Sequence, residues 1–190
     1  MGDLEGARRD AERAAVLARR TGASEILARA DQMLGRVARL RGEPGEARRL
    51  SEAALAECPA GWFGAEESRT HIMIELGLTA EAGGDAPTAL AWYRRALAVA
   101  SSQRNMTTVA LVTEMLSGVA LLEDDGERAA LLLGAGTAVR GTAVAGDADV
   151  ARLKTAAREA LGDEGYEKAY GRGVSLTREE ALALAGAPVA

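Results

Sequence analysis

Gly42-Glu43-Pro44-Gly45-Glu46-Ala47 ends one helix and begins another. A glycine can take the left-handed C′ position at little cost, because it has no Cβ. The acid that follows favours the positive start of the next helix. Pro44 falls in the first turn, where a missing N–H is tolerated. The hexapeptide therefore predicts a tight reversal between two antiparallel helices.

Similar hexapeptides lie on either side. Gly2-Asp3-Leu4-Glu5-Gly6-Ala7 precedes it, and Gly84-Asp85-Ala86-Pro87-Thr88-Ala89 and Asp125-Gly126-Glu127-Arg128-Ala129-Ala130 follow. The fourth is expected to place Asp125 where the others have glycine. The alanines Ala7, Ala47, Ala89 and Ala130 are then 40, 42 and 41 residues apart. A fixed period of this size marks an array of helical repeats. A second signature precedes the breaks: Leu34-Gly35, Leu76-Gly77 and Ser117-Gly118, with Ala38, Ala80 and Leu121 three residues after each glycine. Glycine inside a helix costs about 1 kcal/mol relative to alanine. Repeating that cost predicts close helix crossings at these points.

These residues resemble the tetratricopeptide repeat, which pairs a Leu-Gly step with an Ala twelve residues after the glycine and another seven later. The second repeat supplies Leu34, Gly35, Ala38, Ala47, Ala54 and Pro59. The third supplies Leu76, Gly77, Ala80, Ala89, Tyr93 and Ala96, and the fourth Gly118, Leu121, Ala130 and Gly134. The family's bulky residue at the start of each repeat is replaced by Asp31, Met73 and Glu114, and the period exceeds the usual one by one to two turns. A HEAT-like array is the alternative at this period. The resemblance implies an all-α, right-handed superhelical solenoid of helix pairs. It would occupy residues 1–141, with an incomplete first repeat whose remaining helix spans residues 3–21. Half a repeat at an edge exposes an apolar face, so Met1 is expected to open a fragment of a protein that continues upstream.

Past residue 141 the repeat fades, and residues 142–190 are expected to form a helical cap on the same array. Gly141 to Gly146 reads as a loop. Residues 147–162 read as an amphipathic helix with Val150, Leu153, Ala157 and Leu161 on one side. Tyr166 and Tyr170 lie in a short following segment that ends near Gly171-Arg172-Gly173. Thr177-Arg178-Glu179-Glu180 is a capping-box pattern opening a last helix. The runs Ala130–Ala135, Ala160–Gly162 and Gly173–Ala181, with Tyr166 and Tyr170, are similar to the tail of large bacterial ATP-binding, STAND-type transcriptional regulators of the antibiotic-regulator and LuxR-like kinds. That resemblance spans roughly residues 25–187. It implies a sensor arm attached to DNA-binding and nucleotide-binding domains.

Composition narrows the function classes. The 190 residues are 48% apolar but only 3% aromatic, which favours close helix packing over a β-sandwich. Residues 1–50 carry 11 arginines and 8 acids, a net of +3, against −8 in residues 51–190. The total of −5 argues against general affinity for nucleic acid or an anionic membrane. One cysteine precludes an internal disulfide and points to a reducing, cytoplasmic setting. A single histidine makes most metal sites and a Ser-His-Asp triad improbable. No cofactor, metal or catalytic residue is expected, and the chain is read as a non-enzyme.

Individual motifs read as structural. Leu133-Gly134-Ala135-Gly136-Thr137-Ala138-Val139-Arg140-Gly141 looks like a phosphate loop but lacks the Gly-Lys-Ser/Thr ending and a preceding strand, so a helix crossing is expected. Cys58 reads as a packed thiol with Glu57 raising its pKa. Glu123, Asp124 and Asp125 read as a solvated turn. Trp62-Phe63 and Trp92-Tyr93 read as helix packing.

The resemblance also implies a concave groove lined by the first helix of each pair, at six and three residues before the glycine and one and four after. The stripe reads Arg29, Gln32, Arg36 and Arg39 in the second repeat, then His71, Ile74, Leu78 and Glu81 in the third. In the fourth it reads Val112, Met115, Val119 and Leu122. The arginines would meet a carboxylate by paired hydrogen bonds, and Met115 and Leu122 an apolar anchor. The expected partner is a peptide, a protein or a neighbouring domain of the same polypeptide. A small-molecule inducer in the same groove and a homo-oligomeric contact are the alternatives. The opposite expectation for the groove is a solvated arginine face whose apolar end is covered by the terminal helices.

Overall fold

The computed structural model describes residues 3–58, 63–142 and 147–187. Within them the chain forms α1 (Leu4–Thr21), α2 (Ser24–Leu40), α3 (Pro44–Glu57), α4 (Phe63–Ala82), α5 (Ala86–Ser102), α6 (Met106–Leu122), α7 (Gly126–Arg140), α8 (Ala148–Val174) and α9 (Arg178–Ala185). No strand occurs among the described residues. Pro59, Trp62, the Phe63 side chain and the loop tip at 143–146 lie outside the described residues.

The chain divides into two compact units, residues 1–92 and 93–190. In the first, α1, α2, α3 and α4 pack consecutively and α2 also touches α4. Its core joins Ala28, Ala54, Cys58, Ile72 and Leu76, with Leu55 and Trp92 packed against it. In the second, α6 packs on α7 and α7 on α8, while α8 and α9 also reach α6. The expected pattern of neighbouring antiparallel helices is therefore present in each unit.

The reversals share one hydrogen-bonded design. Gly42 (φ 77°) and Gly84 (φ 76°) are left-handed. The next residue donates back into the preceding helix: Glu43 N to Ala38 O at 3.0 Å, and Asp85 N to Ala80 O at 2.9 Å. The fourth break repeats this with Asp124 (φ 56°) in the glycine's place, and Asp125 N donates to Ala120 O at 2.9 Å. Asp tolerates this conformation better than most residues. Asp125 itself is the N-cap, accepting from Arg128 N at 3.0 Å.

The fourth reversal therefore stands one residue earlier in the chain than expected. Ala129, donating to Asp125 O, corresponds to Ala47 and Ala89, which donate to Glu43 O and Asp85 O. Ser117 then corresponds to Gly35 and Gly77. A further reversal of the same design, unmarked by glycine, stands at Arg104 (φ 54°), where Asn105 N donates to Ala100 O at 3.0 Å.

The crossings expected at small residues are present at Gly35 and Gly134. A Cβ on Gly35 would collide with Ser51 Oγ and lie 3.4 Å from Ala47 O. Gly134 faces Gly173: a Cβ on Gly134 would run into Tyr170 O and stand 2.9 Å from Gly173 Cα. The phosphate-loop-like run is thus the α7–α8 crossing.

In α8, Gly162 (φ 71°, ψ 165°) breaks the helical course, where the sequence placed a helix end. Tyr166 and Tyr170 stack beyond it, with centroids 5.6 Å apart. Arg158 lies 4.3 Å over the Tyr166 ring and binds both Asp163 (2.7 Å) and Glu167 (2.6 Å). Burial, and secondarily Tyr170, pushes the Tyr166 hydroxyl up to about 12. Before α9 the capping box forms: Thr177 N and Oγ1 donate to Glu180 Oε2 at 2.8 Å, and Glu180 N donates to Thr177 Oγ1 at 3.2 Å.

Candidate functional site

The stripe expected to line a groove separates into three kinds of position. The first is exposed or half-exposed and lies on α2. Arg29 is exposed, and Gln32 and Arg36 are half-buried. Arg29 and Arg36 share a ridge with Ile26, Met33 and Leu40, because these five positions follow three- and four-residue steps along one helix side. Ile26, Met33 and Leu40 are 55%, 43% and 44% exposed. These apolar members alternate with Arg29 and Arg36 along the ridge and did not stand out in the sequence.

The second kind is internally paired. Arg39 was expected to reach outward to an acidic ligand. Its Nε donates instead to Glu75 Oε1 at 2.5 Å, and its Nη2 lies 3.4 Å from Glu75 Oε2. Both side chains are buried, which makes this α2–α4 pair part of the packing. His71 is half-buried, and its Nδ1 donates to Glu67 O at 2.9 Å. Glu81 is buried and also has a polar partner.

The third kind is core. Ile74, Leu78, Val112, Met115 and Val119 are all buried. In α6 the expected positions and those one residue earlier are alike enclosed: Glu114 and Gly118 are buried as Val112, Met115 and Val119 are, Leu111 and Leu121 are half-buried, and Leu122 is at the exposed end. The α8 and α9 helices also rest on α6.

Glu114 marks a polar point inside the second unit. Arg140 grips it end-on, Nη1 to Oε1 at 3.0 Å and Nη2 to Oε2 at 2.7 Å. Their side chains are 9% and 1% exposed. The Glu114 stem fills the space that a Cβ on Gly136 would occupy. Arg140 Nε is buried without a hydrogen-bond partner among the described residues. An ion pair at this depth must recover several kcal/mol of desolvation through its geometry. It fixes how α6 and α7 meet and leaves neither charge to a ligand.

The remaining candidates are also structural. Cys58 is buried, with Sγ 3.7 Å from Ala65 O. Burial raises its pKa, Arg69 opposes this, and the carboxylate adding to it is Glu66 rather than the expected Glu57. Glu123 binds Arg128 at 3.0 Å. Trp92 packs on the first unit's core and Tyr93 is fully buried. Asp31 is buried beside Arg19 (3.4 Å); burial raises its pKa, Arg19 opposes that rise and Glu57 adds to it.

A groove runs between α1 and α2. Ala7, Ala11, Ala14 and Ala30 form its floor, and Asp10, Ile26, Arg29 and Met33 its sides. A separate surface of α1 carries Leu17, 61% exposed, with Val16, Arg9, Glu12, Arg13 and Arg20. Small alanines bring the two helices close and leave a shallow, mostly apolar channel whose lining carries one cation, Arg29, and one carboxylate, Asp10. No family model, no curated protein and no solved structure matches this chain.

Proposed function

We propose that this chain is a non-catalytic interaction and signal-sensing arm of a bacterial transcriptional regulator. It is read as a right-handed tetratricopeptide-like solenoid closed by a helical cap. The observation that carries the interaction reading is the α2 ridge, where the exposed Ile26, Met33 and Leu40 alternate with Arg29 and Arg36. Large apolar side chains interleaved with arginine are what binding surfaces use: the apolar groups supply desolvation and the guanidinium supplies direction. The regulator assignment rests on the similarity of the tail sequence to STAND-type proteins. In that reading a bound partner favours one arrangement of the array and so biases an attached switch.

The test is affinity capture with the intact chain, followed by mass spectrometry, alongside Met33→Glu and Leu40→Glu. A discrete partner held by the unaltered chain and lost by both variants, with little change in Tm, is the expected result. Capture indifferent to both substitutions overturns the reading. A metabolite that raises Tm in a thermal-shift panel, where no protein is captured, replaces it with inducer sensing.

A further inference from the structure

We infer that a cleft bounded by α3, α4 and the first turns of α5 binds a free α-amino acid with a large apolar side chain. None of its lining lies on α2, so the inference goes beyond the interaction reading above. It rests on two clefts that the repeat places at equivalent points of the first unit.

The first cleft lies among α1, α2 and α3, the second among α3, α4 and α5, and their linings correspond at steps of 40 or 42 residues. Leu34 and Ala38 of the first answer to Leu76 and Ala80 of the second, and Arg8 answers to Arg48. Three positions differ in kind. Gly83 stands in place of Arg41, Thr88 in place of Glu46, and Trp92 in place of Leu50.

The first cleft is neutralised from within. Arg8 binds Glu12 at 2.9 Å, Arg41 binds Glu43 at 3.1 Å, and Glu46 binds Arg49 at 2.7 Å. Every charged side chain of its lining therefore has a partner in the chain. It encloses about 110 Å³, against about 250 Å³ in the second. In the second, Arg48 has no carboxylate partner among the described residues, and Asp85, at the Glu43 position, binds no cation among them. Asp85 accepts from Thr88 N at 3.0 Å as it caps α5, which leaves acceptor sites on its carboxylate.

Leu76 is buried and Trp92 half-buried, whereas Arg48 and Asp85 are exposed. The cleft thus has an apolar floor, an aromatic wall and one charge of each sign at its rim. A free amino acid answers all three. Its side chain displaces water from the floor, its carboxylate meets Arg48 by paired hydrogen bonds, and its ammonium meets Asp85. The volume falls just under the range of about 300–1,000 Å³ usual for ligand pockets, which suits a single residue. A simple anion or cation would answer one rim charge and oppose the other. An internal segment of a partner protein has no charge on its backbone and would answer neither.

The test is a heteronuclear NMR titration of the full chain with L-phenylalanine, phenylalaninamide, which lacks the carboxylate, and N-acetylphenylalanine, which lacks the ammonium. L-Phenylalanine is expected to give saturable shifts at the Gly83 and Thr88 amides and the Trp92 indole, with Arg41 and Leu50 of the first cleft unmoved. Each blocked analogue is expected to bind about three- to fivefold more weakly, the effect an exposed ion pair supplies. Asp85→Asn keeps a capping side chain; it should weaken L-phenylalanine to the level of the N-acetylated analogue and leave that analogue unchanged. Arg48→Gln should weaken it to the level of the amide and leave the amide unchanged. Gly83→Arg adds a Cβ no nearer than 3.4 Å to Ala80 O and offers Asp85 the guanidinium that Arg41 gives Glu43. It should abolish binding while the rest of the spectrum stays in place. Equal binding of the three probes, shifts centred outside this cleft, affinity indifferent to both rim variants, or no saturable shift overturns the inference. Capture through Met33 is a separate measurement on a separate surface, so either reading can fall while the other stands.

Discussion

Gly134 of α7 and Gly173 of α8 face each other with no side chain between them, so that a Cβ on either would come within 2.9 Å of the other's Cα. The neighbours that a new methyl would strike are backbone atoms, Tyr170 O on one side and Leu131 O on the other. Backbone cannot swing aside as a side-chain tip can. Gly134→Ala and Gly173→Ala should each cost about 1–3 kcal/mol or more from overpacking, despite alanine's better helix propensity. Urea denaturation would show a lowered midpoint for both. An unchanged midpoint would mean that the two helices do not meet here.

The Glu114–Arg140 pair yields a prediction with an internal control. Arg140→Met leaves a buried carboxylate without its partner and should destabilise by about 3–5 kcal/mol. Adding Glu114→Leu should recover most of the loss, because two apolar groups need no desolvation repaid. Chemical denaturation of both single variants and the double closes the cycle.

Asp31 and Glu180 should respond to acid with opposite signs. Burial raises the Asp31 pKa above its unfolded value, more than Arg19 lowers it. The folded chain therefore holds that proton more tightly, and the associated stability fades as pH rises through the window above the ordinary carboxylate range. Asp31→Asn should melt at an equal or higher temperature at neutral pH and lose that advantage below about pH 4. Glu180 is held below its ordinary value by the Thr177 backbone and hydroxyl donors. Its contribution is present at neutral pH and disappears as pH falls. Melting curves of Asp31→Asn and Glu180→Gln across pH 3–8 would separate the two slopes.

Gly162 has φ 71° and ψ 165°, a region open essentially to glycine alone. Gly162→Ala should cost about 1–3 kcal/mol through backbone strain. It should also loosen the Arg158 contacts to Asp163, Glu167 and the Tyr166 ring, which bridge the kink. Near-ultraviolet circular dichroism of the tyrosines would report the second effect separately from the melting temperature.

The helices and most of their ends were legible because glycine, proline and capping residues impose local geometry that packing rarely overrides. Gly42, Gly84, Gly141 and Thr177 all act where the sequence placed them. The slip came at Asp124, where an aspartate takes the left-handed position and glycine follows two residues later. Counting from the wrong residue moved the α6 stripe by one position, but α6 is enclosed on nearly every side, so most of either set is covered: Glu114 and Gly118 no less than Val112, Met115 and Val119. The buried pairs Arg39–Glu75 and Glu114–Arg140 were not legible: nothing local distinguishes an arginine that will find a carboxylate on another helix from one left in water. The exposed apolar residues of α2 were missed for the same reason, since isoleucine and methionine at helical spacing read as core until the neighbouring helices are placed.

Cys58 gives the first unit a built-in clock. Its sulfur is enclosed with Ala28, Ala54, Ile72 and Leu76, and it is the chain's single thiol. An alkylating reagent must wait for α3 and α4 to part before it can react, so the labelling rate follows the breathing of that helix pair. A guest seated elsewhere on the unit would register as a slower reaction, with no dye attached to the protein.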